Sequence, residues 1–238
     1  MSTQPRQLVF DLPLRSANGM EDFFVSQSNR AAVDLVDRWP DWPHWAAIVV
    51  GPEGSGKSHI ANVWKSGSGA AALPASMLDE EALDLLQQHS AMLVEDVDRT
   101  IADERILFHL LNMAREHHLT VLMTSRVAPG TLQISLPDLR SRMRAVPLIA
   151  IAPPDEALIK AVLVKLFADR QLLVEPRVVN FIALRIERSM ASVNAVVEQL
   201  DREALVSKRR VTRALAADVL GATGEADEAT SADPDHRN

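Results

Sequence analysis

No cysteine occurs among the 238 residues, which excludes disulfides, thiolate metal sites and a cysteine nucleophile. No apolar run approaches the roughly 18 residues that a membrane-spanning helix needs. The opening residues, Met1-Ser2-Thr3-Gln4-Pro5-Arg6-Gln7, lack the apolar segment of a secretory signal, so a cytoplasmic protein with no membrane contact is the simplest expectation. Positive charge is also short: 25 Lys and Arg stand against 32 Asp and Glu, a formal net charge of −7. That balance argues against a broad electropositive footprint, and no direct specific DNA binding is expected. The histidines, including His117-His118, show no metal-ligand spacing with carboxylates, and no serine or histidine context suggests a nucleophilic triad.

What is present points to a phosphate ligand. Apolar residues make up 47% of the chain, enough for a real core. Residues Gly51-Pro52-Glu53-Gly54-Ser55-Gly56-Lys57-Ser58 fit G-x-x-x-x-G-K-[ST] at every position. The β-rich run Ala46-Ala47-Ile48-Val49-Val50 leads in, and His59-Ile60-Ala61-Asn62-Val63-Trp64 continues as a helix. Glycines let such a loop turn its N–H groups onto phosphate oxygens. Lys57 then reaches the β- and γ-phosphates, and Ser58 offers its hydroxyl to Mg²⁺. The plainer reading is a glycine-rich strand-to-helix turn with no ligand.

Patterning predicts an α/β core followed by a helical unit. Residues 1–20 read as an extended, mobile leader. From 21 to 152, strand candidates 46–50, 69–73, 91–94, 119–123 and 145–151 alternate with helices, the pattern of a parallel sheet covered on both faces. Beyond Pro153-Pro154 strand candidates vanish, and 155–170, 176–187, 191–207 and 212–220 read as helices, a small second domain over 153–220. Residues 221–238 are Ala-, Asp-, Glu- and Thr-rich with little to bury, so disorder is expected. Three tryptophans in Trp39-Pro40-Asp41-Trp42-Pro43-His44-Trp45 suit either a loop packed on the domain or an aromatic ligand face.

A phosphate loop needs an acid at a neighbouring strand end, and Met92-Leu93-Val94-Glu95-Asp96 supplies it. Glu95 falls at the Mg²⁺ position, where Asp is usual, and Asp96 at the position that polarises water; a solvated acidic strand end is the alternative. Thr124-Ser125 ends the next strand, where a polar group can touch the γ-phosphate. Arg140-Ser141-Arg142-Met143-Arg144 is either a solvated basic face or a source of an arginine for a neighbouring molecule's nucleotide.

With these parts quoted, the chain resembles the AAA+ ATPases, and within them the DnaA initiator branch. Glu21-Asp22-Phe23-Phe24-Val25-Ser26-Gln27-Ser28-Asn29-Arg30-Ala31-Ala32 is similar to that branch's opening segment, which lies against adenine; the likeness implies a nucleotide contact near Asn29 and His59. Leu136-Pro137-Asp138-Leu139-Arg140-Ser141-Arg142-Met143 is similar to the segment that carries a trans-acting arginine finger, which implies that role for Arg142. Closer still is the resemblance to the Hda family, short DnaA homologues, up to about Leu220. It rests on the missing helix-turn-helix domain after the lid, on Arg38-Trp39-Pro40-Asp41-Trp42-Pro43, and on Gln7-Leu8-Val9-Phe10-Asp11-Leu12-Pro13. The last string resembles a peptide that binds the sliding clamp, the beta subunit of DNA polymerase III. Gln7 would hold register while Leu8, Phe10 and Leu12 anchor. Alone, such a string is an ordinary leader or edge strand.

The resemblance implies a P-loop AAA+ sheet with a helical lid, adenine nucleotide (ADP or ATP) with Mg²⁺ as ligands, and DnaA and the clamp as partners. A homo-oligomer stays open. The implied activity is regulatory: docked on the clamp, the protein stimulates hydrolysis of DnaA-bound ATP. Two departures, Glu95 and an Ala191 where the lid arginine belongs (Arg188 is one turn earlier), imply weak or no intrinsic hydrolysis. The rivals are an autonomous AAA+ motor of the helicase-loader or clamp-loader type, and a small-molecule kinase sharing the loop.

Overall fold

A computed structural model of the chain describes residues 14–17, 20–207 and 209–230. Of these, Arg15–Pro153 form one compact unit and the residues from Pro154 onward belong to another.

In the first unit, β1 (Leu14–Ala17) and β2 (Met20–Phe24) pair in a two-stranded sheet, where composition predicts only an extended leader. Next come α1 (Arg30–Arg38), β3 (Ala46–Val50), α2 (Lys57–Ser68), β4 (Ala71–Pro74) and α3 (Glu81–His89). They are followed by β5 (Ala91–Glu95), α4 (Glu104–Glu116), β6 (Thr120–Ser125), α5 (Pro137–Ala145) and β7 (Leu148–Ala150). The five later strands form one sheet, ordered β4-β5-β6-β3-β7, with every pairing parallel.

Strand side chains alternate between faces, and each face has its own helices. Ile48, Met92, Val94, Val121 and Met123 join Leu86 of α3 and Leu107, Leu110 and Leu111 of α4 in one core. Ala47, Val49, Leu93 and Leu122 pack with Ala32 and Val33 of α1 and with Ile60 and Trp64 of α2 in the other. Burial on both faces explains why the strands read as continuous apolar runs. Two of the tryptophans before β3 do pack the loop: Trp42 stacks on buried Trp64, and Trp39 meets it edge-on at 6.4 Å.

Two carboxylates set the segment leading to α5. Asp103 caps α4, its Oδ1 accepting from the Arg105 amide at 2.7 Å, a contact worth about 1 kcal/mol. Glu104 accepts from the amides of Ser135 (2.8 Å) and Leu136 (2.6 Å), so α5 starts from a fixed point. The helix runs through Ala145, which shortens the expected strand 145–151 to Leu148–Ala150.

The second unit is all helix: α6 (Glu156–Asp169), α7 (Pro176–Ala183), α8 (Met190–Ser207) and α9 (Arg213–Thr230). Ile159, Leu163, Phe167, Val179, Ile182, Val197, Leu200 and Ala216 form its core. The last helix continues ten residues beyond 220, where disorder is expected.

Candidate functional site

The loop after β3 is shaped by close backbone approach. A Cβ on Gly51 would meet the Ile151 carbonyl oxygen at 2.5 Å and Ser55 Oγ at 2.7 Å, so no side chain fits. The Gly51 amide donates to the Ser125 carbonyl at 3.2 Å, tying the loop to the end of β6. Gly56, with φ +97°, turns the chain into α2 through a conformation that favours glycine. No side chain caps that helix. An uncapped helix start behind a turning loop is a receptor for an anion.

Lys57 is folded inward. Its Nζ donates to the carbonyls of Gly51 (2.8 Å) and Pro52 (2.9 Å), and only 8% of the residue is exposed. Burial pushes its pKa below the ordinary lysine value, against the opposing pull of Asp96 and Asp98. Ser55 Oγ is buried and makes no hydrogen bond. Glu53 and Ser58 are exposed, while Gly54 and His59 are half-buried. A loop-lining cation, an orphan hydroxyl and uncapped amides fit a phosphate chain.

Sheet order brings the other predicted groups to the same edge. β6 lies between β5 and β3, so Glu95, Asp96, Thr124 and Ser125 end beside the loop. Asp96 has φ +55°, and its carboxylate pairs with Arg99 at 3.4 Å. The two hydroxyls at the C-terminal end of β6 both have backbone partners. Thr124 Oγ1 accepts from the Asp96 amide at 3.0 Å, and Ser125 Oγ donates to the Val127 carbonyl at 2.6 Å. Asn29 is likewise spent on backbone: its Oδ1 accepts from the Ser26 amide and its Nδ2 donates to the Phe24 carbonyl, forming the turn into α1. The Ala152 amide donates to the Ser28 carbonyl at 3.0 Å, which sets this turn beside the residues following β7.

One pair at this edge escaped sequence reasoning. Arg126 follows β6, its Nε donating to Asp98 Oδ2 at 2.7 Å and its amide to Asp98 Oδ1 at 2.9 Å. Its NH1 lies 3.9 Å from Glu53 of the loop. Burial alone would raise the pKa of Asp98, but the Arg126 hydrogen bonds prevail and hold it below the usual carboxylate value. The available signal was an arginine directly after a strand whose end faces an acidic cluster.

Arg142 stands apart from these groups. It lies half-buried on α5, its guanidinium 5.8 Å from the ring centre of Trp45 and 5.6 Å from that of Phe108. Trp45 directly precedes β3 and the loop directly follows it. A five-residue strand, about 17 Å long, separates the two ends. Arg142, Trp45, Phe108, Arg115 and Asp138 line an open cavity of about 540 Å³. Arg140, by contrast, turns onto its own chain and donates to the Ile134 carbonyl.

In the helical unit, Ala191 occupies the first turn of α8 and is exposed, as is Arg188 just before the helix. Gln7, Leu8, Phe10 and Leu12 lie outside the described residues. Among the described residues, no three His, Asp or Glu side chains group as a metal site, and no helix is long and apolar enough to cross a membrane.

Residues 155–220 match the family model of the Hda lid domain. A chromosomal replication initiator protein DnaA from Cutibacterium acnes is 30% identical over 132 residues, which cover 54% of this chain and 26% of that protein. The match therefore spans about a quarter of that relative's length. Among solved structures, domain III of Thermotoga maritima DnaA superposes with a TM-score of 0.69 at 18% identity, covering 84% of this chain and 93% of that one. AMPPCP-bound DnaA from Aquifex aeolicus gives 0.63 at 16% identity, over 75% and 63% of the two chains. A Thermotoga maritima RuvB structure gives 0.65 at 14%, over 83% and 70%. The fold is that of the AAA+ proteins.

Proposed function

We propose that this chain, a Hda/DnaA-related AAA+ protein, is a negative regulator of replication initiation that stimulates hydrolysis of ATP bound to DnaA while docked on the DNA-loaded sliding clamp. The observation that carries this reading is the separation of Arg142 from its own phosphate loop by the length of β3. An arginine at that end assists chemistry only in another molecule's site, where such a group contributes roughly 10³–10⁵ in rate.

Its own loop, residues 51–58, would hold an adenine nucleotide, either ADP or ATP. The loop amides and Lys57 would take the phosphates, while Ser58 and Glu95 would face Mg²⁺ through its waters. The cation supplies neutralisation of phosphate charge when bound. Asp96 would polarise the attacking water; its half-exposed carboxylate also lies 3.4 Å from Arg99. Bound nucleotide then acts mainly as a structural ligand, and the solved DnaA relatives that hold AMPPCP support a site at this loop. Gln7, Leu8, Phe10 and Leu12 are the proposed clamp anchors.

The test is hydrolysis of labelled ATP on DnaA, with and without DNA-loaded clamp. Stimulation should require the clamp and should vanish with Arg142→Ala and with Gln7→Ala. Vigorous turnover by the protein alone, without effect on DnaA, would instead support an autonomous motor.

A further inference from the structure

The helical unit pairs some of its arginines with acids and leaves others bare. Arg170 meets Asp201, Arg177 meets Glu175 and Arg202 meets Glu198. Arg185, Arg209, Arg210 and Arg213 are all exposed, and none has a carboxylate within ion-pair distance among the described residues. They gather where α7 ends and α9 begins. Arg185, just beyond α7, and Arg213, which opens α9, both lie on the ring of Phe181, 3.9 Å and 4.9 Å from its centre. Two guanidinium groups on one ring repel each other, and a cation–ring contact at an exposed site returns only about 0.5–1 kcal/mol to each. Arg213 also stands in the first turn of a helix, where the macrodipole favours an acid, and α9 has none there. Arg210 and Arg209 come three and four residues before Arg213, so the chain holds them within roughly 14 Å of it. Between them, Val211 is buried and Thr212 Oγ1 accepts from the Leu215 amide at 3.3 Å, which pins the turn that presents these side chains. Positive charge is thus collected at one helix junction of a chain whose formal net charge is −7.

We propose that Arg185, Arg209, Arg210 and Arg213 form a binding surface for the phosphate backbone of duplex DNA, without regard to base sequence. The mutual repulsion of these side chains is relieved when a polyanion joins them. A guanidinium fork fits a phosphate with two parallel hydrogen bonds and stays charged at every working pH. Double-stranded DNA carries a negative charge every ~1.7 Å along its axis, so a patch of this span meets several phosphates at once. Backbone contacts of this kind hold a protein on the duplex and carry no sequence information. The acidic balance of the whole chain excludes a broad footprint, and this one is local. Duplex DNA is favoured over other polyanions because a clamp-docked chain has threaded DNA beside it, and in that choice the proposal rests on the clamp-docked reading.

The experiment is equilibrium binding of the full chain to a short labelled duplex, read by fluorescence anisotropy across a salt series, with no clamp or DnaA present. Affinity should fall with salt at a log–log slope of about −3 to −4, one phosphate per arginine, and should be equal for two duplexes of unrelated sequence. Arg209→Ala combined with Arg210→Ala should reduce the steepness of that slope by about 2 and weaken binding at low salt roughly tenfold. Arg209→Lys combined with Arg210→Lys keeps the charge and should keep most of the affinity, which guards against a folding defect in the first variant. No binding at low salt, an unchanged slope in the alanine variant, or an equal loss in the lysine variant would overturn the proposal. So would equally effective competition by poly-glutamate at matched charge, which would make the patch a receptor for acidic polypeptide. Because clamp and DnaA are absent, a failure here leaves the clamp-docked reading standing. Conversely, a chain that binds the duplex yet fails to stimulate hydrolysis of DnaA-bound ATP would overturn that reading and support this surface.

Discussion

The indole of Trp42 lies on that of Trp64, ring centres 5.4 Å apart and planes 18° from parallel. Trp42 also donates from Nε1 to the Leu35 carbonyl at 2.7 Å, so a single side chain ties the loop before β3 to both α1 and α2. Trp64 is 1% exposed and sits under the face of the sheet nearest the phosphate loop's helix. Truncation to Ala leaves a large cavity there, and Trp64→Ala should destabilise the protein by about 3–5 kcal/mol. Chemical denaturation checks this; a loss below ~1 kcal/mol would mean that the tryptophan cluster is not part of the cooperative core.

Gly51→Ala tests the loop's geometry. Its Cβ would be driven against the Ile151 carbonyl, a backbone atom that cannot rotate away. The loop must then shift, at a cost of about 1–3 kcal/mol. Nucleotide affinity should fall at least tenfold, while Gly67→Ala, in open space on α2, should leave affinity unchanged and raise stability by up to about 1 kcal/mol. Thermal melts with and without ADP separate the two effects.

Asp98 should make stability fall in acid. Its folded-state pKa lies below the ordinary carboxylate value, so the unfolded chain binds the proton first as pH drops. The Asp98 contribution is complete above about pH 4 and is lost as pH falls through the depressed value. Asp98→Asn should therefore be less stable than the unaltered chain at pH 7, with the gap closing in strong acid. A gap that does not change with pH would show that the carboxylate's charge is not what matters.

Trp45 should govern how Arg142 is presented. A cation over an aromatic face gains about 0.5–1 kcal/mol at an exposed site. Trp45→Leu should reduce stimulation of DnaA-bound ATP hydrolysis severalfold while leaving this chain's own nucleotide affinity unchanged. Arg142→Ala should abolish stimulation, again without altering that affinity. Measuring both in parallel distinguishes a misplaced arginine from a damaged fold.

Much of the core was legible because two local signals agree. The apolar runs of β3, β5 and β6 and the glycine spacing of residues 51–58 each specify structure within a few residues. The role expected of Arg142 rests on resemblance alone, since nothing local in the sequence separates it from Arg140 and Arg144. The pairing of Asp98 with Arg126 was not legible, because its partners are 28 residues apart and meet only when β5 and β6 lie side by side. Nor did residue type reveal that Thr124, Ser125 and Asn29 spend their polar atoms on their own backbone. A hydroxyl at a strand end looks the same in sequence whether it faces a ligand or a turn.

The loop of residues 51–58 and Arg142 lie at opposite ends of β3, so on the proposed reading the molecule has a donor pole and an acceptor pole. A contact made through Arg142 against another molecule's loop is therefore heterologous: the surface that gives is not the surface that receives. Two copies cannot complete each other's sites around a simple twofold axis by that contact alone. A row of copies would keep an unused pole at each end. A partner that offers only one of the two surfaces would cap such a row at the end it meets and leave the other end open.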